Sequence, residues 1–313
     1  MLLGIDIGGT SIKAGIFDYD FKLFNKFKIP YLENAKSRDF PEYLIDELFN
    51  LINSSIENFP NIEKIGFGVP GVVSREGVIK VAPNMLGIVD FPIKQLIKSR
   101  INLPIAIDND ANVAALAELK LGSGLEYQHF VYVTLGTGIG SAIISNSEIF
   151  RGSSGGAGEI GHTIIDYTNT RYDSRSYRIG TIEVLAGRQG ILNLAAEILP
   201  DYPNSKLNDY DNIDVGEIAG DAESGDLAAL KILKITGERI GTALVNSANI
   251  LDIPTFIIGG GISQSQILIN EIEKILKLRS IPSISERVKV IKAKFIQDTG
   301  IFGAAVLAKY YAN

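Results

Sequence analysis

The stretch LLGIDIGGTSIKAGIFD, residues 2–18, decides how the rest of the chain is read. LLGIDI reads as a strand, GGT as a turn and SIKAGIFD as a second strand, because β-branched residues flank a glycine pair at hairpin spacing. Alone, such a hairpin is more often just a tight turn. FVYVTLGTGIGSAIIS, residues 130–145, repeats strand, glycine turn and strand. Two such hairpins about 120 residues apart suggest two related halves facing one ligand. PTFIIGGGIS, residues 254–263, is a buried strand entering a third glycine turn.

Outward from these hairpins, Leu44, Leu48, Leu51, Ile52, Ile56 and Phe59 fall at helical spacing, and the strand KIGFGVPG follows. IAIDNDANVAALAELKLG predicts a strand ending at Asp108 and a helix from near Asp110 to Gly122. Residues 183–199 and 225–250 read as helices, and DTGIFGAAVLAKYY as a closing small-residue helix. A length of 313 residues makes two domains the expectation. Their expected limits are 1–115, with the first glycine turn, and 116–297, with the second. Residues 298–313 would pack back on the first domain.

Hydrophobic residues at 46% and charged residues at 21% exclude a disordered tail protein. A net charge of −6 argues against a general nucleic-acid or membrane-surface binder. The absence of cysteine removes disulfides, thiolate nucleophiles and Cys-based zinc sites. Asp6 and three glycines interrupt the opening before signal length, and the most apolar later run is too short and glycine-rich to span a bilayer. A cytoplasmic location is expected.

Successive glycines after a strand aim several N–H groups at one point and make a concave anion site. Gly8, Gly9 and Thr10 form the first such turn, Gly136, Thr137 and Gly138 the second, and Gly259, Gly260 and Gly261 the third. Asp6 could hold Mg²⁺ through water. No Gly-Lys dipeptide occurs, which excludes a P-loop. The G-x-G-x-x-G strings GFGVPG and GGAGEIG open no convincing helix and are false positives for a dinucleotide fingerprint.

IDNDAN, residues 107–112, puts a carboxylate where a strand gives way to a helix. Asp110 could take a proton from a substrate hydroxyl, with Asn109 reading a neighbouring hydroxyl. Equally, Asp108 or Asp110 could only cap the helix. Asn84, Glu159, His162 and Glu183 are oriented donors or acceptors near Gly or Pro turns, as a polyhydroxylated ligand requires. Each alone reads as a surface polar residue. His129 has no such context and reads as structural.

In order, DIGGT (6–10), GVPG (68–71), the PN of APNM (83–84), NDAN (109–112), LGTGIG (135–140), GEIGH (158–162) and IIGGGIS (257–263) resemble the repressor/open-reading-frame/kinase (ROK) family from residue 3 to about residue 308. The resemblance implies an α/β, actin-like and hexokinase-like ATPase fold with two domains, and an ATP-dependent sugar kinase. Asp110 would be the catalytic base on the 6-hydroxyl of a hexose, most readily glucose. Asn84, Asn109, Glu159, His162 and Glu183 would hold the sugar, and Gly71 would close against it. The turns at 8–10 and 136–138 would take the phosphates and Gly259–Gly261 the adenosine side. Mg²⁺ and backbone dipoles would stabilise the transferring phosphoryl group, and domain closure would exclude water. A homodimer is expected, because dimers are common in the family.

One departure is plain. Many members carry a Cys-rich zinc loop after the GEIGH histidine, itself a zinc ligand. Here the loop is TIIDYTNTRYDSRSYRIGTIE, with Thr181 where the last cysteine would fall. No zinc is expected, because His162 alone cannot build a tetrahedral site. Arg171, Tyr172, Asp173, Arg175, Tyr177 and Arg178 could instead orient Glu159 and His162, the alternative being a solvated loop. Within the family the alternatives are an N-acetylmannosamine or other N-acetylhexosamine kinase, or a fructokinase. A sugar-responsive regulator is the distant alternative, since the first phosphate turn at residue 8 leaves no room ahead of it for a DNA-binding module.

Overall fold

The computed structural model describes residues 1–31, 39–82, 85, 87–168 and 178–313. Strands β1 (Leu2–Ile7), β2 (Ser11–Phe17) and β3 (Leu23–Pro30) lead to helix α1 (Phe40–Asn58) and strand β4 (Lys64–Val69). The short strands β5 (Val72–Val73), β6 (Ile79–Val81) and β7 (Val89–Phe91) precede α2 (Ile93–Lys98), β8 (Ile105–Asn109) and α3 (Asp110–Leu121). Next come β9 (Phe130–Leu135), β10 (Ile139–Ser145) and β11 (Glu148–Ile149), then α4 (Ile182–Ala186), α5 (Arg188–Ile198), α6 (Val215–Glu223) and α7 (Leu227–Leu251). β12 (Thr255–Gly259), α8 (Gln266–Arg279), α9 (Pro282–Ser285), β13 (Lys289–Lys292) and α10 (Thr299–Tyr311) complete the order. Among the described residues no helix is long and apolar enough to cross a membrane.

Two units emerge. The first comprises residues 1–125, 149–157 and 297–313, and the second residues 126–148 and 158–296. A boundary at 115 would fall inside α3, and residues 149–157, which carry no local mark of it, belong with the first unit.

The first unit's sheet runs β3-β2-β1-β4-β8, with the β1–β2–β3 meander antiparallel and β1, β4 and β8 parallel. The second unit's sheet runs β11-β10-β9-β12-β13, with β9 and β10 antiparallel and β9, β12 and β13 parallel. Strand for strand the plan is the same, which is the actin-like ATPase architecture. Both faces of β1, β9 and β12 are almost wholly buried, so they read as apolar runs rather than alternating strands. Each unit has its own core, one including Ile5, Phe67 and Leu48, the other Val133, Ile240 and Phe256.

Small residues decide the layer on the first sheet. A Cβ at Gly66 would collide with the carbonyl of Ala304, and one at Gly4 with that of Ile301, so α10 lies directly on β1 and β4. Leu2, Phe17 and Ile301 close that contact, each contributing about 1.5–3 kcal/mol by leaving water. The helix expected over 183–199 is two, because Gly187 is extended (φ −71°, ψ 173°) between α4 and α5.

Candidate active site

The parallel strands of the first unit end in one row. Asp6 lies opposite Gly68, and Gly68 opposite Asp108, so Asp6 and Asp108 are two strand spacings, about 10 Å, apart. The first glycine turn leaves β1 there. Gly8 N–H donates to the Ser11 carbonyl at 2.9 Å, and the Tyr31 hydroxyl donates to the Gly8 carbonyl. Tyr31 N–H reaches the Thr10 carbonyl at 2.9 Å, while Thr10 itself is exposed. Burial pushes the Asp6 carboxyl above the usual aspartate range, against Lys13 and with Asp298. Gly300, in the first turn of α10, has no side chain where that carboxyl sits.

Asp108 and Asp110 part company. Asp110 is the first residue of α3 and is exposed, with Oδ1 accepting the Ala111 N–H at 2.8 Å. Neither aspartate caps the helix. That role falls to Asn109, whose Oδ1 accepts from Ala111 (2.8 Å) and Asn112 (3.2 Å) N–H groups. Asn109 Nδ2 donates to the Gly71 carbonyl at 2.9 Å, so both ends of its amide are engaged within the loop system. Gly71 has φ +87°, and a Cβ there would collide with the Val81 carbonyl. Asn84 lies outside the described residues.

Asp108 is buried, its side chain 5% exposed, and all its acceptor capacity is directed. Oδ1 accepts from Asn109 N–H (2.8 Å) and Asn112 Nδ2 (2.7 Å). Oδ2 accepts from Arg151 Nε (2.9 Å) and Nη2 (2.7 Å). Arg151 therefore anchors the carboxylate that anchors the cap beside Asp110. Sequence reading missed it, since an isolated arginine in IFRGSSGG carries no periodic or motif signal.

In the second unit, β9 ends at the turn Gly136–Thr137–Gly138. Gly136 N–H donates to the Gly138 carbonyl at 3.0 Å, and Arg188 N–H to the Gly136 carbonyl at 3.3 Å. The third turn lies alongside, because β9 and β12 pair with Gly259 opposite Thr134. Gly260 (φ +85°) fits against the Leu135 backbone, and its carbonyl accepts from Ser263 N–H (3.2 Å) and hydroxyl (2.7 Å). Gly261 is exposed.

Glu183 joins this turn to the polar cluster. Its Oε2 accepts the Ile139 N–H at 2.9 Å, and Gly138 leaves room for that carboxylate. Glu159 precedes and His162 ends a single 3₁₀ turn, Ile160–His162, with Oε2 and Nε2 3.7 Å apart. The Ser141 hydroxyl donates to the Gly158 carbonyl and its oxygen accepts the Ile160 N–H at 3.1 Å, tying the turn to β10. The Glu159 side chain, although 43% exposed, has its carboxyl pushed up by partial burial; His162 and Arg178 pull it down, and Glu183 adds to the rise.

What joins the two ends of the long loop is backbone. Ile165 N–H donates to the Gly180 carbonyl (3.0 Å), Ile182 N–H to that of Thr163 (3.0 Å), and Ile164 bridges Thr181. Thr181 is buried and its hydroxyl oxygen caps α4 through Val184 N–H at 3.4 Å. Of the residues expected to orient the Glu159–His162 pair, Arg178 acts on Glu159 by charge; Arg171, Tyr172, Asp173, Arg175 and Tyr177 lie outside the described residues. His129 Nδ1 accepts the Asn146 N–H at 3.3 Å at the far end of the β9–β10 hairpin.

A model described as the ROK family matches residues 2–310. A glucokinase of Halalkalibacterium halodurans is 30% identical over 318 residues, covering 99% of this chain and 96% of the relative. A xylose repressor of Caldicellulosiruptor bescii is 27% identical over 316 residues, covering 98% of this chain and 77% of the repressor. The crystal structure of a ROK family glucokinase from Streptomyces griseus, in complex with glucose and AMPPNP, matches with a TM-score of 0.82 at 27% identity, covering 98% of this chain and 99% of that one.

Proposed function

The chain belongs to the ROK family, and on that premise we propose that it is an ATP-dependent hexose kinase, acting on the 6-hydroxyl of glucose. The observation that carries this reading is the doubled sheet, with a glycine turn at the end of β1 and another at the end of β9, together with an exposed carboxylate, Asp110, at the start of α3. The S. griseus relative's complex with glucose and an ATP analogue supports the choice of ligands.

In this reading Asp110 aligns the attacking hydroxyl and takes its proton, while Glu159, His162 and Glu183 hold the remaining hydroxyls. Asn84 and Gly71 complete the sugar contacts. Asn109 contributes mainly by fixing the loop, since its amide is engaged with Gly71 and the α3 backbone. The turns at 8–10 and 136–138 supply N–H groups to the phosphates, and Gly259–Gly261 leaves room for the adenosine.

The residues present fit Mg²⁺ only as a companion of ATP. No group of three or more His, Asp or Glu among the described residues could hold a metal, whereas Asp6 is a desolvated carboxylate at the first turn. Asp6 would therefore reach the ion through water, with the nucleotide's phosphates as its main ligands. When bound, the ion neutralises charge on the transferring phosphoryl group. The enzyme works as a cytoplasmic homodimer, a reading that rests on the family.

The test is an ADP-release assay with Mg·ATP against glucose, mannose, fructose, N-acetylglucosamine and N-acetylmannosamine. Turnover strongest on glucose is expected. Turnover confined to an acetylated sugar would move the chain to amino-sugar metabolism. Xylose or another sugar binding without any turnover would favour the regulator reading, which the likeness to the xylose repressor motivates.

A further inference from the structure

We infer a second binding site, for a small phosphate-bearing molecule, in a cleft of the first unit to which, among the described residues, none of the proposed sugar or nucleotide residues contributes. The cleft measures about 430 Å³, the scale of a small-metabolite pocket, and Arg75, Lys94 and Arg151 are its cations.

Its anions are few and engaged. Both oxygens of Asp108 are taken, Oδ1 by Asn109 and Asn112 and Oδ2 by Arg151. Glu76, beside Arg75 in sequence, is exposed and takes up the Ser74 hydroxyl. Asn313 also borders the cleft, where its main-chain oxygen accepts from Lys98 Nζ at 3.2 Å. Glu76 acts on Arg75 by charge, yet among the described residues neither Arg75 nor Lys94 has a carboxylate contact. Arg75 donates only to the Gly152 carbonyl, at 3.3 Å, and the Lys94 amine makes no hydrogen bond or ion pair among the described residues.

The arrangement is built rather than incidental. Lys94 N–H donates to the Gly77 carbonyl at 3.2 Å, and Gly77, lacking a side chain, makes room for the Lys94 stem. Partial burial and neighbouring Lys98 disfavour the Lys94 ammonium, so a bound anion would relieve a standing cost. The Arg151 guanidinium is held by Asp108 and lies over the Tyr311 ring at 5.5 Å, while its Nη1 makes no hydrogen bond among the described residues. Two cations without a carboxylate contact among the described residues and a fixed guanidinium edge suit a dianion with several acceptor oxygens, the chemistry of phosphate.

The test uses the full chain and needs no turnover, so its failure is separate from failure of the kinase reading. Calorimetric titration with inorganic phosphate, and separately with glucose 6-phosphate, is repeated on the Arg75→Ala/Lys94→Ala variant. Saturable binding weakened at least about tenfold in the variant is expected. In the unaltered protein, acetylation of Lys94 followed by mass spectrometry should slow when either ligand is present at saturation. Tighter binding of the sugar phosphate that weakens in the variant would identify a metabolite site, and equal binding of both ligands, likewise weakened, a site for the free anion. No binding, unchanged affinity in the variant, or Lys94 acetylated equally fast with and without ligand would overturn the inference.

Discussion

At the scale of single residues, two carboxylates of the first unit carry opposite costs. Asp108 is satisfied by Arg151, and truncating Arg151 to Ala would strand a buried charge. A loss of about 3 kcal/mol is expected, read as a lower urea midpoint at unchanged slope. Asp6 is the converse case, since burial raises its carboxyl and the folded state resists its ionisation. The stability linked to Asp6 is therefore full below the ordinary aspartate range and lost as pH rises through its raised value. Asp6→Asn should raise Tm over the unaltered protein at pH 7–8, the gain vanishing in acid, while turnover on Mg·ATP falls. A variant without that pH-dependent gain would show that Asp6 is not strained in the fold. Asp110 was legible as a candidate because its position between strand and helix is written locally. Arg151 was not, because its partner lies 43 residues away and nothing in its own neighbourhood marks it.

At the scale of elements, α10 and the second glycine turn make the sharpest demands. Gly66→Ala would drive a methyl group into the Ala304 carbonyl, a backbone atom that cannot swing aside. A destabilisation of about 3 kcal/mol, the upper end for overpacking, is expected in denaturant unfolding. Glu183 holds the turn by a hydrogen bond and acts on Glu159 by charge, and its variants should separate the two. Glu183→Gln keeps an acceptor for the Ile139 N–H, so KM for ATP stays near its starting value while KM for sugar rises. Glu183→Ala should raise both, that for ATP about tenfold. Equal ATP KM values for the two variants would remove Glu183 from the turn's support. Helices and strands were legible here wherever burial imposed a period, as in α1, or a strand passed directly into a helix, as at α3, whose cap is nevertheless Asn109 and neither neighbouring aspartate. The break between α4 and α5 was not, because Gly187 ends one helix and starts the next by an extended backbone that the apolar spacing does not encode.

At the scale of the whole molecule, the repetition of one sheet plan explains why a pair of short glycine strings was so informative. The two hairpins had to recur because each unit uses the same strand order, β3-β2-β1-β4-β8 in one and β11-β10-β9-β12-β13 in the other. The assignment of residues 149–157 to the first unit was illegible, since it depends on packing between segments distant in sequence, such as Arg151 on Asp108. The central claim is that Asp110 performs base catalysis on a hexose hydroxyl, and one measurement tests it most directly. Asp110→Asn is assayed for turnover with Mg·ATP and glucose, alongside calorimetric binding of glucose and an ATP analogue. Binding retained with turnover reduced about 10²–10⁴-fold is the expected result. Turnover equal to that of the unaltered protein, with binding intact, would contradict the claim.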